Sequence, residues 1–342
     1  MQLLRELPGR RVWREGDELV KAFRHPALLL RWRDRLRAEN ELRVLTRLFE
    51  RGVAVPRPLG LAREHGWWCA RLGWVRDAVS LAEALDGTPL PMARQRVAAG
   101  LGKLVAHVQA AGVDQPDQHA GNFLVTTEGR VFGIDFHKAR VRRRLSAGGV
   151  EANLVELAAY FRERTSRRER ARCFVAWWRT FGARRITEPR GEFARRIEDA
   201  ARERRKLQVA KLAQRWTRAS ELVRASPDGH LVHRAAHEGE RVLERTGTVE
   251  RVTACWTATA RLVEHGLPAA VPLELRRDGR RGTARYAVPT DALPGPLTAA
   301  ARADLAARLR DRGLGALDDW LTAHETFLSL DGSYRCLPRQ NS

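Results

Sequence analysis

Apolar and polar positions along this chain switch between two periods, and the switches divide it into segments. Arg11-Val12-Trp13 alternates, Glu15-Gly16-Asp17 turns, and Glu18 to Phe23 alternates again, so residues 7–23 are expected to open with a β-hairpin or three strands. From Trp32 to Arg51 the apolar residues Leu36, Leu42, Val44, Leu45, Leu48 and Phe49 recur at helical spacing, and Gly52 ends the run. Val53 to Leu59, with prolines at its limits, reads as an edge strand, and Trp67 to Leu72 as a further one; a five-stranded lobe would be complete by about Trp74. A short apolar stretch, Ser80 to Leu85, precedes an amphipathic helix from Arg94 to Ala111, with Val97, Leu101, Leu104, Val105 and Val108 on one face and Gly112 as its cap. Phe123-Leu124-Val125 and Val131 to Ile134 then form a hairpin with Gly129 in the turn, and Leu154 to Trp216 is helical. The order of elements makes the fold class α+β.

Composition narrows the picture. A chain of 342 residues has room for two domains, and 44% hydrophobic residues is ordinary for a packed protein. No apolar run approaches the ~18 residues of a membrane span, and MQLLRELPGRR carries charge where a secretory apolar core would lie, so a cytoplasmic location is expected. Cys69, Cys173, Cys255 and Cys336 are far apart and form no CxxC pair, which points to buried thiols rather than zinc or disulfides. The net charge of +21 selects for anions. With no zinc finger, RNA-binding aromatic strand pair or basic zipper, nucleic acid ranks below an anionic membrane surface. The arginine-loaded helices between Leu154 and Trp216 are either solvated faces or a docking surface for anionic headgroups or phosphorylated sugar, with Trp177, Trp178 and Trp216 at the interface.

The candidate chemistry lies in DQPDQHAGNFLVTTEGRVFGIDFHKA, residues 114–139. Asp117 and Asn122 precede the first hairpin strand and Asp135 follows the second, so the hairpin brings all three to one edge of a small sheet. Oxygen ligands of this kind suit Mg²⁺, and an acid placed beside them suits phosphoryl transfer from a nucleotide. The plainer alternative is that Asp117 and Asn122 only cap a turn. Lys21 joins the candidates because it sits inside a strand in a chain where only 5 of 62 basic residues are lysine. A solvated edge-strand lysine is the alternative. His107 is a helix histidine, whereas His119 lies in the loop itself, structural or beside a metal.

Asp117 to Asn122, DQHAGN, resembles the Asp-x-His-x-x-Asn loop of aminoglycoside-type phosphotransferases and of the bacterial lipopolysaccharide core kinases that act on heptose or Kdo, and the second group is the better match. Asp135-Phe136 occupies the place of the metal-binding Asp-Phe pair of kinases. The resemblance covers most of residues 1–200. It implies a two-lobed protein-kinase-like fold, with an N-lobe at 1–75, a C-lobe with the catalytic loop and Arg-rich helices at 76–210, and a hinge at Gly73 to Asp77 against adenine. It further implies ATP and Mg²⁺ as cofactors. Asp117 would accept the acceptor hydroxyl's proton, Asn122 and Asp135 would hold Mg²⁺, and Lys21, oriented by a helix glutamate, would steady the phosphates. Glu39 and Glu41 both qualify for that last role and point in nearly opposite directions; the order Glu41, Leu45, Leu48, Gly52, Val53, Pro56 resembles the sugar-kinase pattern and favours Glu41. The acceptor would be a sugar of lipopolysaccharide inner core, met at the inner face of the cell membrane.

Two departures stand out. Gln115 replaces the histidine usual two residues before the catalytic aspartate, which puts loop rigidity in doubt. Only Gly9 and Gly16 lie where a GxGxxG would be, so the phosphate-covering loop is degenerate. Rival readings are a kinase of the aminoglycoside or choline type, whose cationic substrates a +21 surface attracts poorly, a protein kinase, which the lack of an Ala-Pro-Glu segment disfavours, and a catalytically inactive kinase-like scaffold.

An internal echo suggests a second unit. Leu231-Val232-His233 after Gly229 parallels Leu19-Val20-Lys21 after Gly16, and Leu262 to Pro272 parallels Leu48 to Pro56; Phe327 to Gly332 parallels Phe123 to Gly129. Residues 217–342 are expected to be a degenerate, truncated kinase-like unit. His233 would replace the lysine, Cys255 the glutamate, and Cys336-Leu337-Pro338 the Ile134-Asp135-Phe136 run, leaving no charges to hold Mg·ATP. Coincidence between generic helix–strand patterns is the alternative.

Overall fold

The computed structural model describes residues 2–7, 9–25, 31–85, 94–220, 222–226, 228, 230–312, 314, 316–329 and 333–339. Gly229 and Leu330 to Gly332, which carry part of the internal echo, lie outside the described residues. The chain divides into two compact units, Met1–Ala201 and Arg202–Ser342.

In the first unit, β1 (Gln2–Leu7), β2 (Arg10–Glu15) and β3 (Glu18–Phe23) are followed by α1 (Trp32–Glu50), β4 (Pro58–Glu64) and β5 (Trp67–Gly73). They form an antiparallel sheet in the order β1-β2-β3-β5-β4. The tight β2–β3 turn rests on Gly16, whose φ of +58° a residue with a side chain resists. Helix α1 buries Asp34, Ala38, Glu41, Val44, Leu45 and Leu48 on one stripe. Leu36 and Phe49, which helical spacing also nominated, are exposed.

The strand expected from Val53 begins only at Pro58. Pro56 and Pro58 cannot donate to a sheet ladder. Val53 and Val55 instead drop into the core, and the Ala54 carbonyl accepts from Gly133 N at 2.9 Å. This stretch thereby ties the α1 end of the sheet to the hairpin that carries Asp135.

Beyond β5 come β6 (Ala78–Ser80), α2 (Leu81–Leu85), α3 (Arg94–Ala110) and β7 (Val113–Asp114). A 3₁₀ turn (Ala120–Asn122), β8 (Phe123–Thr126), β9 (Val131–Gly133) and β10 (Arg140–Val141) follow, then α4 (Ala147–Phe161), α5 (Arg167–Thr180) and α6 (Arg190–Arg215). β6, β8 and β9 make a three-stranded sheet, and β7 pairs with β10. Helices α3 and α5 cross closely at Gly102, where a Cβ would lie 2.0 Å from the Cys173 carbonyl oxygen. One core cluster runs from Val44 and Leu48 through Leu101, Phe123 and Phe136 to Trp177 and Phe193.

That core corrects an expectation. Trp177 is 1% exposed and donates from Nε1 to Gln109 Oε1 at 2.7 Å, and Trp216 is 2% exposed. Both are packing residues, not interfacial ones. Arg205 is likewise buried, donating to the Glu264 carbonyl, whereas Arg167, Arg168, Arg172, Arg184, Arg185 and Arg195 are exposed. Among the described residues no helix is long and apolar enough to cross a membrane. Burial pushes the Cys69 thiol up to about 11 and Cys173 and Cys336 to about 12, and raises Cys255, so all four resist ionisation.

In the second unit, β11 (Arg224–Ala225), β12 (Leu231–Val232), β13 (Glu240–Thr248), α7 (Val249–Glu264), β14 (Val271–Asp278) and β15 (Arg281–Pro289) build a sheet of order β11-β12-β14-β15-β13. After β16 (Leu293–Pro294), α8 (Ala299–Arg312) and α9 (Leu317–Ala323), β17 (His324–Leu328) and β18 (Tyr334–Pro338) join β16 in a three-stranded sheet.

The two units repeat one register. The β4–β5 hairpin pairs Glu64 with Trp67 through to Leu61 with Ala70 and slips between Pro58 and Gly60; β14–β15 pairs Asp278 with Arg281 through to Leu275 with Ala284 and slips between Pro272 and Glu274. Ala70 faces Lys21 on its other side, and Ala284 faces Arg245. Gly52 and Gly266 end α1 and α7 with φ of +70° and +64°, and Gly133 N to Ala54 O is matched by Cys336 N to Pro268 O, each 2.9 Å. The counterpart of Lys21 is therefore Arg245, and the expectation for His233 is overturned: His233 lies beyond β12, which pairs with β14, and its ring packs 4.5 Å from that of Trp216. Cys255 lies as far before Gly266 as Glu41 lies before Gly52, and Pro338 lies two residues past Cys336 as Asp135 lies two past Gly133. One difference is topological, since β11 and β12 extend the β14 edge where β1 and β2 extend β3.

Candidate active site

Strand β3 alternates its side chains across the sheet, and this puts Lys21 on the face covered by α1. The α1 stripe that buries Ala38 and Leu45 also buries Glu41, because the three recur at helical spacing. Lys21 is 3% and Glu41 0% exposed, and Lys21 Nζ donates to Glu41 Oε1 at 2.7 Å. Two charges so placed are tolerable only as a pair. Glu39 points outward to Arg35 at 2.6 Å, which separates the two candidate glutamates.

Asp135 follows β9 with φ of +65°, a conformation that a residue with a side chain adopts at a cost. Its carboxylate faces three basic groups: Oδ1 meets His137 Nδ1 at 2.5 Å and Lys21 Nζ at 3.7 Å, and Oδ2 accepts from Arg10 Nη2 at 3.0 Å. Burial alone would push its pKa up. The Lys21 charge, the His137 hydrogen bond and the Arg10 charge outweigh burial and hold it well below the usual carboxylate range. The next residue closes the ring, since Phe136 N donates to Glu41 Oε1 at 3.3 Å.

The loop before β8 is tied to this ring through its backbone. Ile134 N donates to Asn122 O at 2.9 Å, and Asn122 Nδ2 donates to the Asp117 carbonyl at 2.8 Å. Asn122 is 3% exposed, so it braces the loop whatever else it does. Gln115 answers the doubt raised by the missing histidine: its Nε2 donates to the Asp135 carbonyl at 3.1 Å, a direct strut between the loop and the second residue past β9. Asn153 of α4, in the amide orientation that satisfies both ends of its side chain, holds the Gln115 carbonyl at 2.9 Å.

The Asp117 carboxylate is about one-third exposed and is engaged by its own neighbours. Lys138 Nζ donates to its Oδ2 at 2.7 Å, and His119 Nε2 lies 3.6 Å from Oδ1. Burial lowers the His119 pKa against the opposing pull of Asp117 and Asp135. The structure thus brings Lys21, Glu41 and Asp135 into side-chain contact and joins Asn122 and Asp117 to them through main chain.

The donors fit Mg²⁺. Asp135 supplies an ionised carboxylate and Asn122 an amide oxygen, and the remaining positions of an octahedron are ordinarily filled by phosphate and water. Glu41, Asp135 and His137 offer ligand atoms all within 4.8 Å of one another, and Glu41 Oε2 is buried without a hydrogen-bond partner, so further donor capacity is present.

Reading the sequence missed Arg10, Gln115 as a strut, His137 and Lys138. Lys138 had a signal: it is one of five lysines and lies three residues past Asp135. Arg10 had none among 57 arginines, since only the tight β1–β2 turn aims it at Asp135.

The sequence model of the lipopolysaccharide kinase (Kdo/WaaP) family matches residues 5–178, a span that holds every residue of this site. A 3-deoxy-D-manno-octulosonic acid kinase of Vibrio parahaemolyticus serotype O3:K6 is 30% identical over 137 residues, 38% of this chain and 55% of that protein. One from Stenotrophomonas maltophilia strain R551-3 is 30% identical over 131 residues, 36% of this chain and 50% of that protein. The chain spans about half the length of the curated relatives it matches. Among solved structures, WaaP in complex with acyl carrier protein aligns over 59% of this chain and 88% of that one, with TM-score 0.44 and 22% identity. The bifunctional kinase-methyltransferase WbdD aligns over 55% and 47%, with TM-score 0.38 and 15% identity. With the family model covering half of its length, the chain belongs to the lipopolysaccharide kinase (Kdo/WaaP) family.

Proposed function

We propose that this protein is an ATP-dependent phosphotransferase that phosphorylates a sugar hydroxyl of lipopolysaccharide inner core, heptose or Kdo. The observation that carries the reading is the ring of Lys21, Glu41 and Asp135, joined by backbone bonds to Asn122 and Asp117. Lys21, oriented by Glu41, offers its ammonium to the nucleotide phosphates. Asp135 and Asn122 would hold Mg²⁺, which when bound neutralises charge on the transferred group. Asp117, the most exposed of the acidic groups, takes the proton from the acceptor hydroxyl, and Lys138 keeps its carboxylate oriented until the acceptor arrives. The segment from Gly73 to Asp77 joins β5 to β6, with Trp74 N on Asp17 O at 2.8 Å and Thr127 N on Asp77 O at 2.9 Å; it is the segment we assign to adenine.

Residues 1–75 and 76–210 are the two lobes in this reading, and 217–342 a kinase-like unit without catalysis. Support for the last comes from the shared register, in which Arg245, Cys255 and Pro338 stand where Lys21, Glu41 and Asp135 do. The exposed arginines of α5, α6 and the link between them, with the net charge of +21, support peripheral contact with an anionic membrane surface.

Incubation with ATP labelled at the γ-phosphate and, in parallel, inner-core oligosaccharide, an aminoglycoside and a protein tests the acceptor. Label in the oligosaccharide alone supports the proposal; label in either of the others replaces it.

A further inference from the structure

β1 ends at Leu7 and β2 starts at Arg10, too few residues apart for a glycine-rich loop that wraps a triphosphate. What the turn delivers instead is a charged side chain. Gly9, at φ of +77°, starts β2 so that Arg10, its first residue, reaches across to Asp135 Oδ2 at 3.0 Å. The guanidinium carbon lies 5.8 Å from the centre of the Phe23 ring, and Nε is buried without a hydrogen-bond partner. An arginine in this position has donor capacity to spare and aims into the site.

Both oxygens of Asp135 are engaged as the protein stands, Oδ1 by His137 and Oδ2 by Arg10. A metal ion held by Asp135 must compete with Arg10 for that carboxylate. Once a cation neutralises Asp135, the guanidinium loses its partner while an anion of matching geometry lies beside it. A planar fork of N–H donors pairs with phosphate oxygens in two parallel bonds, which a lysine cannot do.

We propose that Arg10 is a nucleotide-binding residue that exchanges partners: without nucleotide it neutralises Asp135, and with nucleotide it grips the terminal phosphates, in place of a glycine-rich loop. This rests on the nucleotide site proposed above.

The test reads binding rather than turnover. Calorimetric titration with a non-hydrolysable ATP analogue, in EDTA and in Mg²⁺, is run on the wild type, Arg10→Met, Arg10→Lys and Lys21→Met. Arg10→Met is expected to weaken analogue binding in Mg²⁺ by about 10- to 100-fold, the loss of one charge-assisted contact, and to change it less in EDTA, where Asp135 keeps Arg10. The same variant is expected to bind Mg²⁺ alone at lower concentration, because the competitor for Asp135 is gone. Arg10→Lys should recover the analogue binding in part. A merely structural role for Arg10 would weaken both ligands together, and that result overturns the proposal. So does undiminished analogue binding by Arg10→Met where Lys21→Met loses it, a pattern that leaves the nucleotide site standing. Absence of analogue binding by the wild type removes the site and this proposal together.

Discussion

Lys21 Nζ lies 2.7 Å from Glu41 Oε1, and neither side chain is open to solvent. Removing one partner of such a pair leaves the other charge stranded in the core, at a cost of about 3–5 kcal/mol. Lys21→Met should lower the stability of the protein by that order, read from the denaturant midpoint. Replacing both residues, in Lys21→Met with Glu41→Leu, should recover much of the loss, since no carboxylate is then stranded at position 41 and Asp135 keeps Arg10 and His137. A double variant no more stable than the single one would show that the site is held by something other than the pair.

Gln115 makes the second prediction. Its amide strut to the Asp135 carbonyl ties the loop to Asp135 itself. Gln115→Ala removes it and leaves in place every side chain assigned to ATP and Mg²⁺. The expected outcome in steady-state kinetics is a fall in kcat of up to about 100-fold, the cost of a small misplacement, with the KM for ATP little changed. Gln115→His should retain more activity than Gln115→Ala, and equal activity of the two variants would remove the strut.

Asp135 sets a pH dependence. Its folded-state pKa is held below its ordinary value, so the folded protein favours the ionised form. The stabilisation this gives is fully present above about pH 4, the unfolded value, and is lost as the pH falls toward the lower folded value. Asp135→Asn should therefore be less stable than the wild type at pH 7, by about 1–3 kcal/mol. The gap should narrow through acid pH in parallel thermal melts. A gap independent of pH would mean that the carboxylate's charge is not what the site uses.

The parts of this site that the sequence disclosed are those whose geometry is local. The hairpin around Gly129 and the helical stripe of α1 follow from periods of two and 3.6, so Asp117, Asn122 and Asp135 could be nominated from position, and Glu41 from its helix together with the family resemblance that preferred it to Glu39. Lys21 was visible because lysine is scarce in this chain. Contacts set by distant backbone were not visible: Arg10 and Asp135 are 125 residues apart, and nothing in either neighbourhood names the other. The strand expected at Val53 failed because its prolines exclude a ladder, and Trp177 was misjudged because a paired tryptophan looks alike at a membrane and in a core. In the second unit, matching Leu-Val-His to Leu-Val-Lys found the wrong strand, since a three-residue likeness carries less information than the β14–β15 register that points to Arg245.

The roles of Asp117 and Asp135 are read from the rate of phosphate transfer from labelled ATP to inner-core oligosaccharide, measured for the wild type, Asp117→Ala and Asp135→Ala. The expected outcome is transfer by the wild type and a loss of at least about 100-fold in each variant, the size of a positioned base or of one electrostatic contact to the transferred group. Equal rates in all three proteins would contradict it.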